Sequence, residues 1–264
     1  MGKMNMRLAR LLTVCVLCLA MTVGSGVTAA AKSKKKSSVI SDKDSPVIIV
    51  WEDEYLHETV EQRIEWADEA LDAFIYPDNS LKKYTYLYVG ASRADKLSRS
   101  VRDSKTAFVT MPGAGSRWFG KSRFGVSPCL ITIRSYLLAR PDGNVIIELG
   151  NNDPQRPEVY VHVYRRLIEM FPEAHFWFVD ALPGTGSGAH GASKNKERKI
   201  LNNRLKEEFP QNSVGGYSYL LHSPNFRTTD GVHYPAYGER NLYKYVMKKI
   251  GRKIRYSGKT VVEV

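Results

Sequence analysis

The sequence predicts a three-layer α/β/α domain with a mainly parallel sheet, spanning residues 46–264. Three observations lead there. Short runs rich in Val, Ile, Tyr and Phe alternate with longer segments of helical period, which is the pattern of βαβ units. The run NVIIEL (144–149) shows almost no polar alternation, as expected of a strand covered on both faces. Glycine-containing or polar loops follow several of the strands, at the edge where open α/β sheets form their sites.

In chain order, PVIIVW (46–51) reads as a short strand. VEQRIEWADEALDAFI (60–75) is a helix whose Ile64, Ala67, Leu71 and Phe74 are spaced to face the core. TYLYVG (85–90) is a strand, and ASRADKLSRSV (91–101) continues as a helix. TAFVTM (106–111) is the next strand, followed by PGAG. SPCLITIRSYLLAR (127–140) is a helix entered through Ser127 and Pro128 and stopped by Pro141. After the strand NVIIEL come a helix, RPEVYVHVYRRLIEMF (156–171), and a strand, AHFWFVD (174–180). KNKERKILNNRLKEEF (194–209) is a polar-faced helix, YSYLL (217–221) a last short strand, and AYGERNLYKYVMKKI (236–250) the closing helix.

Residues 1–31 have the layout of a secretory signal peptide: a basic start (Lys3, Arg7, Arg10), an apolar run from Leu11 to Val23, and Ala29, Ala30 and Ala31 as a cleavage point. That apolar run is short for a membrane span. Residues 32–45 form a basic flexible linker. A secreted or cell-envelope location follows. The net charge of +12, much of it in the signal and linker and another part in KKIGRKIRYSGK near the C-terminus, suits an anionic cell-surface polymer. Export, and the lack of zinc-finger or helix-turn-helix spacing, argue against nucleic acid. Cys129 alone lies beyond the signal, so no internal disulfide is expected, and it reads as a small buried residue. His57, His162, His175, His190, His222 and His233 are scattered without metal-ligand spacing; neither a metal nor a cofactor is expected. His162 and His175 read as packing residues of a helix and a strand.

Four loops carry the chemistry. Ser92 follows the second strand, Gly113 and Gly115 the third, Asn152 the fourth, and Asp230 and His233 precede the last helix. A serine hydroxyl attacks only if a base takes its proton, and imidazole titrates near working pH. Asp230 is placed to orient His233 through a tight turn eased by Gly231. Backbone N–H groups at Ser92 and a glycine, with the Asn152 amide, can serve a developing oxyanion. Each residue also has a purely structural reading: Ser92 as a helix cap, Asn152 as a turn residue, Asp153 as the cap of the following helix.

Together these blocks resemble the SGNH/GDSL hydrolase superfamily: VGASR as the nucleophile block, PGAG, GNND and DGVH. The resemblance implies a flavodoxin-like SGNH hydrolase fold and a serine esterase or acyltransferase. It implies Ser92 as nucleophile, His233 as base, Asp230 as its partner, and the Ser92 backbone, Gly115 and Asn152 as the oxyanion hole. Ala91 departs from the pattern, because members usually carry there an Asp that organises the loop. Arg93 is the candidate to offset it, through Asp153 or the substrate.

The expected reaction is cleavage of carboxylic esters, small O-acyl groups on carbohydrate, through an acyl-serine intermediate. An O-acyltransferase and a non-catalytic glycan-binding protein on the same scaffold are the alternatives. Trp118, Phe119 and Phe124 either line a pocket or fill the core, and the loop LPGTGSGAHGASKN (182–195) either shapes a groove or covers it.

Overall fold

A computed structural model describes residues 47–49, 58–120, 127–186, 191–223, 227–252, 254–257 and 260–263. The expected signal peptide and linker, with His57, Phe124 and His190, lie outside the described residues.

The β-branched and aromatic runs form six parallel strands: β1 (Val47–Ile49), β2 (Tyr86–Gly90), β3 (Thr106–Thr110), β4 (Asn144–Glu148), β5 (His175–Val179) and β6 (Ser213–Gly215). Their order is β1-β3-β2-β4-β5-β6. Without the edge strand β1 this is the flavodoxin-like order, with its topological switch point between β2 and β4. Gly90 at the end of β2 stands in register with Thr110 of β3 and Glu148 of β4, so the loops after these three strands leave from one level.

Seven helices accompany the sheet among the described residues: α1 (Val60–Asp72), α2 (Ser92–Ser100), α3 (Pro128–Ala139), α4 (Pro157–Met170), α5 (Asn195–Glu208), α6 (Tyr217–Leu221) and α7 (Ala236–Lys249). Starts follow local chemistry. Thr59 accepts from the Gln62 N–H at 3.2 Å while the Gln62 side chain accepts from the Thr59 N–H at 2.9 Å, a reciprocal box that opens α1. Pro128 and Pro157 stand in the first turns of α3 and α4, where a missing N–H costs nothing.

Strand alternation sorts the core into two layers. Leu87, Val89, Val109, Val145, Ile147 and Phe178 pack with Leu71, Ile133, Tyr160, Leu167 and Leu201 of α1, α3, α4 and α5. Tyr88, Phe108, Ile146 and Val179 pack on the opposite face with Ala94 and Leu97 of α2 and Leu242, Tyr243 and Val246 of α7. Each such fully buried aliphatic or Phe side chain contributes ~1.5–3 kcal/mol of transfer free energy. These are the three layers the sequence predicts. Cys129 is buried as expected, and burial pushes its thiol pKa well up.

Four details differ from expectation. Helix α1 stops at Asp72, so Phe74 lies beyond it, 83% exposed, edge-on to Tyr76. YSYLL is helix α6 rather than a strand. The last strand, β6, ends at Gly215, and Gly215 and Gly216 both take positive φ and turn the chain, after which Tyr217 and Leu220 meet the core at helical spacing. The basic C-terminal segment forms an antiparallel hairpin, β7 (Ile254–Ser257) with β8 (Thr260–Glu263). Of the two histidines, His162 pairs with Asp68 across α4 and α1 at 2.8 Å, but His175 is exposed against Trp177. Trp118 and Phe119 are buried and belong to the core. No helix among the described residues is long and apolar enough to cross a membrane.

Candidate active site

Strand β2 delivers Ser92 to the first turn of α2. Ala91 is the N-cap and offers no side-chain acceptor, so the first N–H groups of α2, that of Ser92 included, are left without a capping side chain. The Ser92 hydroxyl stands 2.7 Å from His233 Nε2, across 141 residues of chain. His233 Nδ1 stands 2.6 Å from Asp230 Oδ2. With Nδ1 protonated, the imidazole donates to the carboxylate and its Nε2 accepts from the serine.

The Asp230–His233 turn is built locally. The other carboxylate oxygen, Asp230 Oδ1, accepts from the backbone N–H of Val232 at 3.1 Å and of His233 at 2.8 Å. Gly231 takes φ 88°, and a β-carbon there would stand 2.6 Å from the Thr185 carbonyl oxygen, so only glycine fits. The Thr185 N–H donates to the Gly231 carbonyl at 2.8 Å, which seats residues 183–186 of the glycine-rich loop against the Asp230–His233 turn. Burial pushes the Asp230 carboxyl up, but hydrogen bonds from the His233 backbone and ring and from Val232 outweigh it and hold it well below the usual carboxylate range.

The loops after β3 and β4 are tied together next to this chain. Asn152 Nδ2 donates to the Ala114 carbonyl at 2.6 Å, leaving its second N–H for another acceptor. Asp153 does not cap α4, whose N-cap is Arg156. Its carboxylate accepts from the Ser116 N–H at 2.8 Å and from Arg63 Nη1 at 2.9 Å, and also from the Ser116 and Tyr160 hydroxyls. A β-carbon on Gly115 would lie 2.4 Å from Asp153 Oδ1, so this carboxylate requires glycine at 115. Gly113, by contrast, is exposed and has open space around it.

Arg93 does not pair with Asp153. It is buried, lies 4.8 Å from the centre of the Tyr234 ring, and donates to the Pro183 carbonyl at 3.4 Å. The Tyr234 hydroxyl donates to the same carbonyl. The residue after the serine and the residue after the histidine therefore meet, which joins the two loops where the expected Asp is missing. Beneath them lie two buried carboxyls. Glu148 accepts from the Tyr88 hydroxyl at 2.7 Å, and burial raises its pKa. Burial, then the nearby Glu148, push Glu239 up to about 8.

Arg63, Tyr234 and Glu239 went unmarked in the sequence reading. Arg63 sits on the buried stripe of α1 with Ala67, Ala70 and Leu71, and an arginine at such a position is a legible signal. Glu148, inside the apolar run NVIIEL, is another. An open pocket of about 200 Å³ adjoins the centre, lined by Arg63, Gly113, Gly115, Arg117, Asn152, Asp153, Gln155 and Arg156.

No protein-family model and no curated protein sequence matches this chain. In fold it is similar to the C-terminal catalytic domain of peptidoglycan O-acetyltransferase A from Streptococcus pneumoniae, at 12% identity over 64% of this chain and 90% of that one, TM-score 0.46. It is similar to an acetylxylan esterase from Geobacillus stearothermophilus, at 15% identity over 63% of this chain and 93% of that one, TM-score 0.40. It is also similar to a carbohydrate esterase family 2 enzyme from Myceliophthora fergusii, at 13% identity over 68% of each chain, TM-score 0.37.

Proposed function

We propose that this chain is an exported serine esterase that removes small O-acyl groups from carbohydrate. The observation that carries the reading is the continuous hydrogen-bonded chain from Ser92 through His233 to Asp230 at the carboxyl edge of a parallel sheet.

The Ser92 oxygen attacks the ester carbonyl carbon as its proton passes to His233 Nε2. The negative charge that develops on the carbonyl oxygen falls to the Ser92 N–H, the Gly115 backbone and the second N–H of Asn152, each such donor being worth ~3 kcal/mol of the barrier. The bond from the acyl carbon to the alcohol oxygen breaks, and that oxygen takes the proton from His233, leaving acyl-Ser92. Water then gives one proton to His233 as its oxygen bonds the acyl carbon. The Ser92–acyl bond breaks, the serine regains the proton, and the carboxylic acid leaves. A hydrophilic alcohol and a short acyl group fit the adjoining pocket, whose lining contains no aliphatic side chain among the described residues.

A panel of short-chain esters, with fluorophosphonate labelling, tests this. Wild type hydrolyses acetyl esters and takes one label on Ser92, and Ser92→Ala loses both, its rate falling by ~10³-fold or more. A folded wild type that stays unlabelled and leaves every short ester intact would overturn the assignment and favour a glycan-binding role.

A further inference from the structure

The pocket beside Asn152 has a charge that ester cleavage alone does not require. Among the described residues, three arginines, Arg63, Arg117 and Arg156, line it with a single acidic residue, Asp153. The carboxylate is already engaged by Arg63, Ser116 and Tyr160. Arg63 is itself compensated, since it also donates to Glu58 at 3.2 Å. The positive excess therefore rests on Arg156, half-buried at the pocket wall. Arg156 has no carboxylate partner among the described residues. It is also the N-cap of α4, a helix of 14 residues that starts without a side-chain cap, so the positive end of the helix dipole adds to the same field.

Guanidinium forks match planar or tetrahedral oxyanions in bidentate geometry. The pocket volume, about 200 Å³, corresponds to roughly six or seven waters of liquid, enough for one charged group and part of its sugar ring. Asn152 and Gly115, the groups assigned to the oxyanion, are among its lining residues. An anion seated on Arg156 would thus lie on the same sugar as the ester, or on the next one.

We propose that this pocket binds the acid group of an acidic glycan, a carboxylate or a phosphate, and so selects acylated acidic sugars as substrates. The proposal rests on the esterase reading for its reaction but not for its ligand. The test compares kcat/KM on two matched pairs: an O-acetylated uronic-acid oligosaccharide against its carboxyl-reduced form, and an O-acetylated sugar phosphate against its dephosphorylated form. Wild type prefers the charged member of one pair by ~10-fold or more at low salt, less at high salt, and the pair that shows it identifies the acid. Arg156→Gln collapses that ratio to near unity, chiefly through KM, while Arg156→Lys keeps part of it.

Equal rates within both pairs would overturn the anion site and leave the esterase standing. Where no ester is cleaved, calorimetric binding of the deacetylated acidic oligosaccharides or sugar phosphate decides. Binding by wild type that is lost in Arg156→Gln supports the site without the esterase, and no binding overturns it. Matching melting temperatures for the variants exclude misfolding as the cause of either loss.

Discussion

At the scale of single residues, the relation of Asp230 to His233 decides how the centre works. The Asp230 side chain is 52% exposed and that of His233 22%, so solvent screens their mutual charge. Orientation is then the larger part of what Asp230 supplies: it takes Nδ1–H and leaves Nε2 facing the serine. Asp230→Asn is expected to present an amide N–H to Nδ1 and favour the opposite tautomer, which places a hydrogen between the ring and Ser92. Turnover should fall ~10²–10⁴-fold with melting temperature nearly unchanged, as measured by steady-state kinetics beside thermal unfolding. Retained turnover would show that the backbone turn alone orients the ring. The DGVH spacing made this pair legible in the sequence, because a carboxylate three residues before a histidine reaches it only through a tight turn, and Gly231 marks that turn. The partners of Arg93 were not legible. Nothing in the local sequence states that residues 93 and 234, far apart in the chain, meet at one carbonyl.

At the scale of elements, β4 and α7 each commit a carboxyl to the interior behind the Ser92 turn. Glu148 and Glu239 are both 1% exposed. Two carboxylates cannot both be charged there without cost, and the pair holds a proton. For Glu239 the folded pKa of about 8 stands above the ordinary 4.5. Below the ordinary value both folded and unfolded chains carry the proton. Between the two values only the folded chain does, so stability falls as pH rises, and it levels off above about 8. Glu239→Gln keeps the shape and removes the titration. Relative to wild type it should gain stability between pH 4 and pH 9, by ~2–5 kcal/mol, read from denaturant midpoints across that range. A difference that does not change with pH would mean that Glu239 is not protonated in the fold. Elements of this kind were readable where the hydrophobic period was clear, as in α4 and α7, or where a capping serine and a proline marked the start, as in α3. They were misread where two glycines with positive φ shifted the chain from strand to helix at YSYLL, since aromatic residues favour strands until tertiary packing overrides them.

At the scale of the whole molecule, the parallel sheet was legible because β2, β3, β4 and β5 are each short, largely apolar and followed by a helix long enough to cross back over the sheet. The convergence of the four loops follows from that topology: β2 and β4 flank the switch point, so whatever follows them shares one crevice. The pin that holds the closing helix to this frame was not legible. Asp103, just before β3, grips Arg252, just after α7, with two hydrogen bonds of 2.6 and 2.8 Å, and Tyr243 of α7 adds a third at 2.6 Å. Side chains of both members of the ion pair are 3% exposed or less. Burial pushes the Asp103 carboxyl up, and the bonds from Arg252 and Tyr243 more than reverse this, leaving it below its ordinary value. A carboxyl lowered in the folded state adds stability above its unfolded pKa, and that contribution is lost as pH falls through the folded value. Asp103→Asn leaves a buried guanidinium without its counter-charge and should cost ~3–5 kcal/mol at pH 7. The gap to wild type should narrow steadily below pH 4 as the native carboxyl takes up its proton. Urea unfolding of both proteins at pH 7 and pH 3 measures it. Because α7 carries residues that cover one face of the sheet and directly follows the His233 loop, the same substitution should loosen His233 before the rest of the fold. Ester turnover would then decline at a lower urea concentration than the loss of helical signal, and coincident transitions would instead make the domain one cooperative unit.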